Sequence, residues 1–189
     1  MSLAASDLPS SAPTADAAAG ERLVGLPPVV SPQTRVLILG SFPGEASLKA
    51  QQYYAHPRNQ FWPLLQALWP QYLQPLDYPG RCAWLLDRGL GLWDVYAACL
   101  REGSLDTAIR EAQLNDFAAL RAHCPGLQAV VHNGGESFRH ARAVQQALGR
   151  EDGLLPVLKL PSTSPANASW SFERKRAAWA QALAAQGLC

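Results

Sequence analysis

Between Gly40 and Trp62 the chain reads GSFPGEASLKAQQYYAHPRNQFW, and it is here that residue types capable of chemistry crowd together. Ser41, His56, Arg58 and Asn59 offer hydrogen-bond donors and acceptors, and Phe42, Tyr53, Tyr54, Phe61 and Trp62 offer flat apolar rings. That mixture suits a flat, uncharged, hydrogen-bonding ligand such as a nucleobase. It suits a phosphate or a metal ion less well. No GxxxxGK[ST] loop or carboxylate pair for magnesium is present, and no GxSxG elbow supports a serine hydrolase.

These residues need a frame, and the apolar runs supply one. Arg35 to Leu39, Leu90 to Val95, Leu127 to His132 and Pro156 to Leu160 read as buried strands. Helical stretches fit Gln60 to Leu68, Gly80 to Arg88, Asn115 to His123, Glu136 to Leu148 and Phe172 to Ala185. Strands this apolar, alternating with helices, predict an α/β fold with a short parallel sheet covered on both faces. Ligands of such sheets bind beyond the carboxyl ends of the strands. The segments to watch are therefore Gly40-Ser41-Phe42-Pro43-Gly44, Trp93-Asp94-Val95-Tyr96, His132-Asn133-Gly134-Gly135 and Pro161-Ser162-Thr163-Ser164-Pro165, all four of which could face one crevice.

The 189 residues favour a single domain with a substantial core, and a formal net charge of +1 leaves any nucleic-acid contact to a local basic patch. Cys82, Cys99, Cys124 and Cys189 are too scattered for a CxxC metal site or a disulfide framework, which points to reduced thiols and a cytoplasmic setting. Residues 1–22, rich in Ala, Ser and Pro, read as a disordered leader, and 23–189 as the one folded domain. No apolar run approaches the ~18 residues needed to span a bilayer.

Four motifs taken in order, GSFPG, HPRNQFW, GLGLWDVY and LPSTSPAN, resemble the uracil-DNA glycosylase superfamily, and most closely its hypoxanthine-DNA glycosylase branch. The mismatch-specific uracil/thymine branch is next. The resemblance runs from about Arg35 to Trp179 and implies a three-layer α/β/α sandwich around a four-stranded parallel sheet. It implies a monofunctional enzyme of base excision repair that flips a deaminated base out of double-stranded DNA and hydrolyses its glycosidic bond. No cofactor or metal is implied, and a monomer is expected, associated with the nucleoid if the source is bacterial.

The resemblance also suggests roles. Much of the superfamily orients the attacking water with Asp or Asn at the third position of the first motif, where this chain has Phe42. In the hypoxanthine branch the Asn of HPxNxFW takes that role, which is Asn59 here. Read from spacing alone, Asn59 is equally well a helix cap before Gln60-Phe61-Trp62. Gly40, Ser41, Phe42, Pro43 and Gly44 are assigned to the base, and Tyr54 to stacking on it, with core packing the alternative for either ring. Asp94 falls where relatives place the Asn that reads the base edge. As a carboxylate it could accept from N1–H of hypoxanthine; as an acid, or tied to backbone donors, it would be structural.

His56, Asn133, Ser162, Thr163 and Ser164 are assigned to the DNA, with turn formation as the alternative for the last four. The loop through Asn167 could act as a wedge. Arg174-Lys175-Arg176 reads either as a phosphate contact or as a solvated helix face. Leu160 stands where the uracil branch has a His or Asn, so uracil release by the usual histidine route is not expected. Two other readings stay open: a uracil or G:T/U mismatch glycosylase, and a nucleic-acid-binding domain without catalysis.

Overall fold

The computed structural model describes residues 22–149 and 153–188, so residues 1–21 of the predicted leader and Cys189 lie outside the described residues, while Arg22 already belongs to the first strand. In chain order the elements are β1 (Arg22–Val24), β2 (Val36–Gly40), α1 (Glu45–Ala50), α2 (Phe61–Leu68), α3 (Tyr78–Leu86), β3 (Leu90–Asp94), β4 (Tyr96–Leu100), a 3-10 turn (Asp106–Ala108), β5 (Arg110–Leu114), α4 (Phe117–His123), β6 (Ala129–Asn133), α5 (Gly135–Phe138), α6 (Ala141–Ala147), β7 (Val157–Leu160) and α7 (Phe172–Ala184).

The four predicted strands form one parallel sheet in the order β3-β2-β6-β7. β2, β3 and β6 are buried at every position, as expected of strands covered on both faces. From β2 the chain crosses to β3 on one side and later returns to β6 on the other. The order therefore reverses at β2, which opens a crevice at the carboxyl ends. α2 packs on α7, joined by the edge-to-face rings of Phe61 and Trp179 at 6.1 Å, while α4 packs on α6. The result is the three-layer α/β/α arrangement.

Local signals explain three helix starts. Asp77, Asp116 and Ser171 cap α3, α4 and α7 by accepting from the amides of Gly80, Ala119 and Arg174. The expected single helix over Glu136 to Leu148 is instead two, broken at Arg139 and His140. Ser137 explains part of this, because its hydroxyl is drawn inward to donate to the Leu39 carbonyl.

Sequence reading did not foresee a second, antiparallel sheet, β1-β4-β5. The apolar run from Leu90 to Leu100 looks continuous, but the chain leaves one sheet at Asp94 and enters the other at Tyr96. Val95 and Tyr96 donate to the Gly40 and Ser41 carbonyls, and this ties the two sheets together beside the crevice. β5 is exposed at all five positions and gives no apolar alternation to detect.

Ile38 lies at the centre of the sheet with no exposed surface. Ile38→Ala should lower unfolding free energy by about 2–5 kcal/mol in urea titrations, the usual effect of truncating a buried aliphatic chain.

Candidate functional site

A cleft of about 570 Å³ opens at the carboxyl ends of β2, β3, β6 and β7. Every residue nominated from the sequence lines it: Gly40, Ser41, Phe42, Pro43, Gly44, Tyr54, His56, Asn59, Asp94, Asn133, Ser162, Thr163 and Ser164. Their positions within it differ in ways that matter.

The floor is set where β2 meets β3. Gly40 pairs with Asp94 across the ladder, and a Cβ on Gly40 would sit 2.3 Å from Asp94 Oδ1. Only glycine leaves that space, so the carboxyl can lie in the sheet edge, 4 % exposed. Asp94 Oδ2 is buried without a hydrogen-bond partner among the described residues. Burial, reinforced by the nearby Asp106 and only partly opposed by Arg101, pushes the Asp94 carboxyl up to about 8. At neutral pH it is an acid that can both donate and accept.

Asn59 precedes α2, and its Oδ1 accepts from the Phe61 amide at 3.0 Å. The capping position of α2 is Gln60, without a side-chain bond, and Asn59 instead makes an Asx turn onto the first helical residue, a bond that fixes the plane of a carboxamide lining the cleft. The turn and chemistry are compatible, since an amide oxygen has two lone pairs. Upstream, His56 Nδ1 accepts from the Arg58 amide at 3.1 Å, which leaves the ring proton on Nε2. The His56 carbonyl accepts from the Asn59 amide at 2.8 Å. Together these bonds shape HPRN as one compact turn.

Tyr54 has a left-handed backbone, φ 57°, unusual for a tyrosine. Its ring stacks on Phe61 at 3.9 Å and its hydroxyl accepts from Asn133 Nδ2 at 3.2 Å. One ring face is thus occupied, and burial holds the phenol well above its ordinary range. Phe42 is buried, with the Arg101 guanidinium 5.0 Å from its ring centroid. The amides of Phe42 and Gly44 make no hydrogen bond among the described residues, which leaves donors in the GSFPG turn.

Three assignments need correction. Asn133 is buried, its Nδ2 donates to the Tyr54 and Thr163 hydroxyls and its Oδ1 accepts from the Thr163 amide, so it braces these residues and is not left to hold DNA. Thr163 has no exposed surface, its hydroxyl and amide bond Asn133, and its carbonyl accepts from Gln60. It braces β6 and β7 against HPRN, and with no exposed surface it cannot reach a phosphate. Ser162 and Ser164 stay partly exposed. Lys175 is neither on a solvated face nor at the surface: it is 2 % exposed and its Nζ donates to Gln60 Oε1 at 2.9 Å. Burial lowers its pKa. Its neighbours Arg174 and Arg176 are engaged with Trp170 and Glu173.

The sequence reading overlooked the far wall, which comes from the segment between β4 and β5. Ser104, Leu105, Asp106 and Thr107 line the cleft there. Ser41 Oγ donates to Asp106 Oδ1 at 2.6 Å, and Arg101 Nη2 donates to the Pro43 carbonyl at 2.6 Å. Arg101 is buried, with Nε and Nη1 unpartnered among the described residues, and burial lowers its pKa. Lys159 and Trp170 also reach the rim. The signal for this wall was the second sheet, which could not be seen without β4.

Cys82, Cys99 and Cys124 are free thiols. No helix among the described residues is long and apolar enough to cross a membrane.

Comparison with known proteins follows this geometry closely. The profile of the "Uracil DNA glycosylase superfamily" matches residues 27–183. The chain is 39% identical over 159 residues to a hypoxanthine DNA glycosylase of Methanosarcina barkeri, covering 84% of this chain and 96% of that protein. It is 36% identical over 151 residues to one of Methanosarcina acetivorans, covering 80% and 92%. A solution NMR structure of a candidate uracil DNA glycosylase from Methanosarcina acetivorans superposes with a TM-score of 0.75 at 32% identity, covering 88% of this chain and 99% of that one.

The buried Asp94 makes a prediction about stability. Its carboxyl is neutral in the folded chain up to about 8 but ionises near 3.8 when unfolded. The folded form therefore binds more protons across that window, and stability falls as pH rises through it, then levels off. Asp94→Asn should remove this slope. The gap between Asp94→Asn and wild type in urea unfolding should widen by a few kcal/mol from pH 4 to pH 8; a gap independent of pH would mean that Asp94 ionises normally.

Proposed function

The chain belongs to the uracil DNA glycosylase superfamily, and from that premise we propose that it excises hypoxanthine from DNA as a monofunctional glycosylase of base excision repair. The observation that carries the reading is that one cleft gathers Asn59, the neutral Asp94 and the free amides of the GSFPG turn. The names of the two curated relatives, both hypoxanthine DNA glycosylases, support the substrate.

Deamination of adenine leaves a base with an N1–H beside a C6 carbonyl. A protonated Asp94 meets that edge through the oxygen that borders the cleft, its hydroxyl donating to O6, while Oδ2 stays buried. A turn amide adds a second donor to O6. Because Asp94 is neutral, it does not oppose a base that departs as an anion, and its donated hydrogen bond strengthens as charge builds on the purine. Uracil offers the same N–H and C=O pattern in a smaller ring and is the natural comparison substrate.

Hydrolysis breaks the C1′–N9 bond, with the bonding pair leaving on the base. Positive charge grows on the sugar, a water oxygen adds to C1′, and the water's lost proton is balanced by one taken up by the base. Asn59 cannot remove that proton. Its Oδ1, already fixed by Phe61, accepts from the water through its second lone pair and so aims the oxygen at C1′, while Nδ2 is free to donate to sugar or phosphate. The nucleotide must leave the stack first, which costs a few kcal/mol and is cheapest at a mispaired base. Phe42 and the exposed face of Tyr54 receive it by stacking. His56, through Nε2–H, and Ser162 and Ser164, through their hydroxyls, hold backbone phosphates; Asn133 orients Tyr54 and Thr163.

Single-turnover assays on duplexes carrying deoxyinosine, uracil or a G:T mispair test this directly. Wild type should release hypoxanthine fastest, and Asn59→Ala should lose about 10²-fold or more in rate while still binding the duplex. The lost hydrogen bond to the Phe61 amide should cost only ~1 kcal/mol of stability. Absence of excision from all three duplexes by wild type would favour a binding domain over an enzyme.

The pH profile supplies an independent check. As pH rises through about 8, Asp94 ionises, loses its donor and places a negative charge beside the leaving base, so the single-turnover rate should fall. Asp94→Asn, which keeps one donor and one acceptor, should show no such fall between pH 7 and 9. An identical alkaline decline in both proteins would remove Asp94 from base recognition.

A further inference from the structure

Flipping a nucleotide leaves a hole in the duplex, which the sequence assigns to the loop through Asn167. The rim loop from Ser162 to Asn167 has the short ring of Pro165 as its largest apolar group, and Trp170 beyond it is engaged by Arg174. On the opposite rim stands Leu105, which lines the cleft mouth and is 60 % exposed. The other large exposed apolar residues among those described, including Tyr72, Leu73 and Leu76, lie away from the cleft.

A solitary exposed leucine is ordinary on a protein surface. This one is held differently, because the residues on both sides of it are bound to the turn that floors the cleft. Ser104 Oγ accepts from the Glu45 amide at 3.0 Å, and Asp106 Oδ1 accepts from Ser41 at 2.6 Å. Leu105 itself is the extended residue leading into the 3-10 turn, with φ −83° and ψ 134°. Its backbone is thus fixed against the base-binding segment while its side chain stays in solvent. Proteins that unstack DNA commonly insert such an aliphatic side chain between bases.

We propose that Leu105 is the wedge that enters the base stack at the position vacated by the flipped nucleotide. Desolvation of an otherwise exposed leucine against the flanking bases would then offset part of the unstacking cost. The proposal rests on the glycosylase reading above and adds to it the strand-separating element, placed on the β4–β5 segment and not on the loop after β7.

The test compares Leu105→Ala and Leu105→Met with wild type on one deoxyinosine strand, either paired with its complement or single. A wedge matters only where a stack must be opened. The ratio of duplex to single-strand rates should therefore drop about tenfold or more in Leu105→Ala, a loss of ~1.4 kcal/mol, and return most of the way in Leu105→Met. 2-Aminopurine placed beside the lesion should fluoresce less with Leu105→Ala than with wild type, reporting weaker unstacking. An equal loss on both substrates would make Leu105 part of the base pocket, and no loss on the duplex would exclude it as a wedge. Either outcome overturns the proposal while the glycosylase reading stands. Wild type inactive on both forms of the strand would instead overturn the reading and the wedge with it.

Discussion

The site depends on one close approach, that of Gly40 to Asp94 where β2 and β3 end. Parallel pairing puts these residues opposite each other, and the missing Cβ leaves a space into which a carboxyl group fits. Water is excluded from that space, so the acid keeps its proton far above the usual carboxylate range. Backbone register thus decides the protonation state of a side chain, and through it which hydrogen bonds the cleft can offer a ligand.

Around that floor the other segments are held by a chain of polar contacts that crosses the molecule. Lys175 on α7 holds the Gln60 side chain, the Gln60 amide bonds the Thr163 carbonyl, Thr163 bonds Asn133, and Asn133 bonds the Tyr54 hydroxyl. Burying an ammonium against a neutral amide is costly. What it secures is geometry, because Gln60 adjoins Asn59 and Tyr54 sits in a strained backbone conformation that needs support from its surroundings. Stability is spent on the residues behind the site, and the residues facing the ligand are fixed by that support and by a few direct bonds such as Ser41 to Asp106 and Asn133 to Tyr54.

Much of this was legible before the structure. The parallel sheet could be read because its strands are apolar without interruption, and the ends of four such strands point to a crevice by topology alone. Asn59 and Asp94 stood out by position. What could not be read was whatever depends on a partner distant in sequence. β5 carries no apolar pattern, so the second sheet, and with it Arg101, Ser104 and Asp106, stayed hidden. Thr163 and Lys175 are polar residues in a Ser/Thr string and a basic run, and both patterns ordinarily mean exposure. Only the packing of α7 against the loop after β7 turns them inward.

The titratable groups nearest the cleft share a bias toward neutrality that bears on mechanism. His132, one residue before Asn133, is fully buried and held down to about 4 by burial. Ser137 uses its proton on the Leu39 carbonyl, so it accepts from His132 Nδ1–H, and Nε2 is left unprotonated. That histidine cannot act as an acid, nor does it line the cleft. Tyr54 keeps its proton, Asp94 keeps its proton, and Asn59 has none to exchange. Asp106, the carboxylate on the far wall, is engaged by Ser41, and with no base among Asn59, Asp94 and Tyr54 the site speeds a reaction chiefly by alignment and by dipoles fixed in advance. Cleavage of a bond whose electron pair leaves on a purine, and whose sugar carbon accepts water after most of the charge has formed, is a reaction that alignment alone can serve. The buried cation that does lie close, Arg101 beneath Phe42 and Pro43, contributes a steady positive potential to the side of the cleft where the base would sit, without itself touching the ligand.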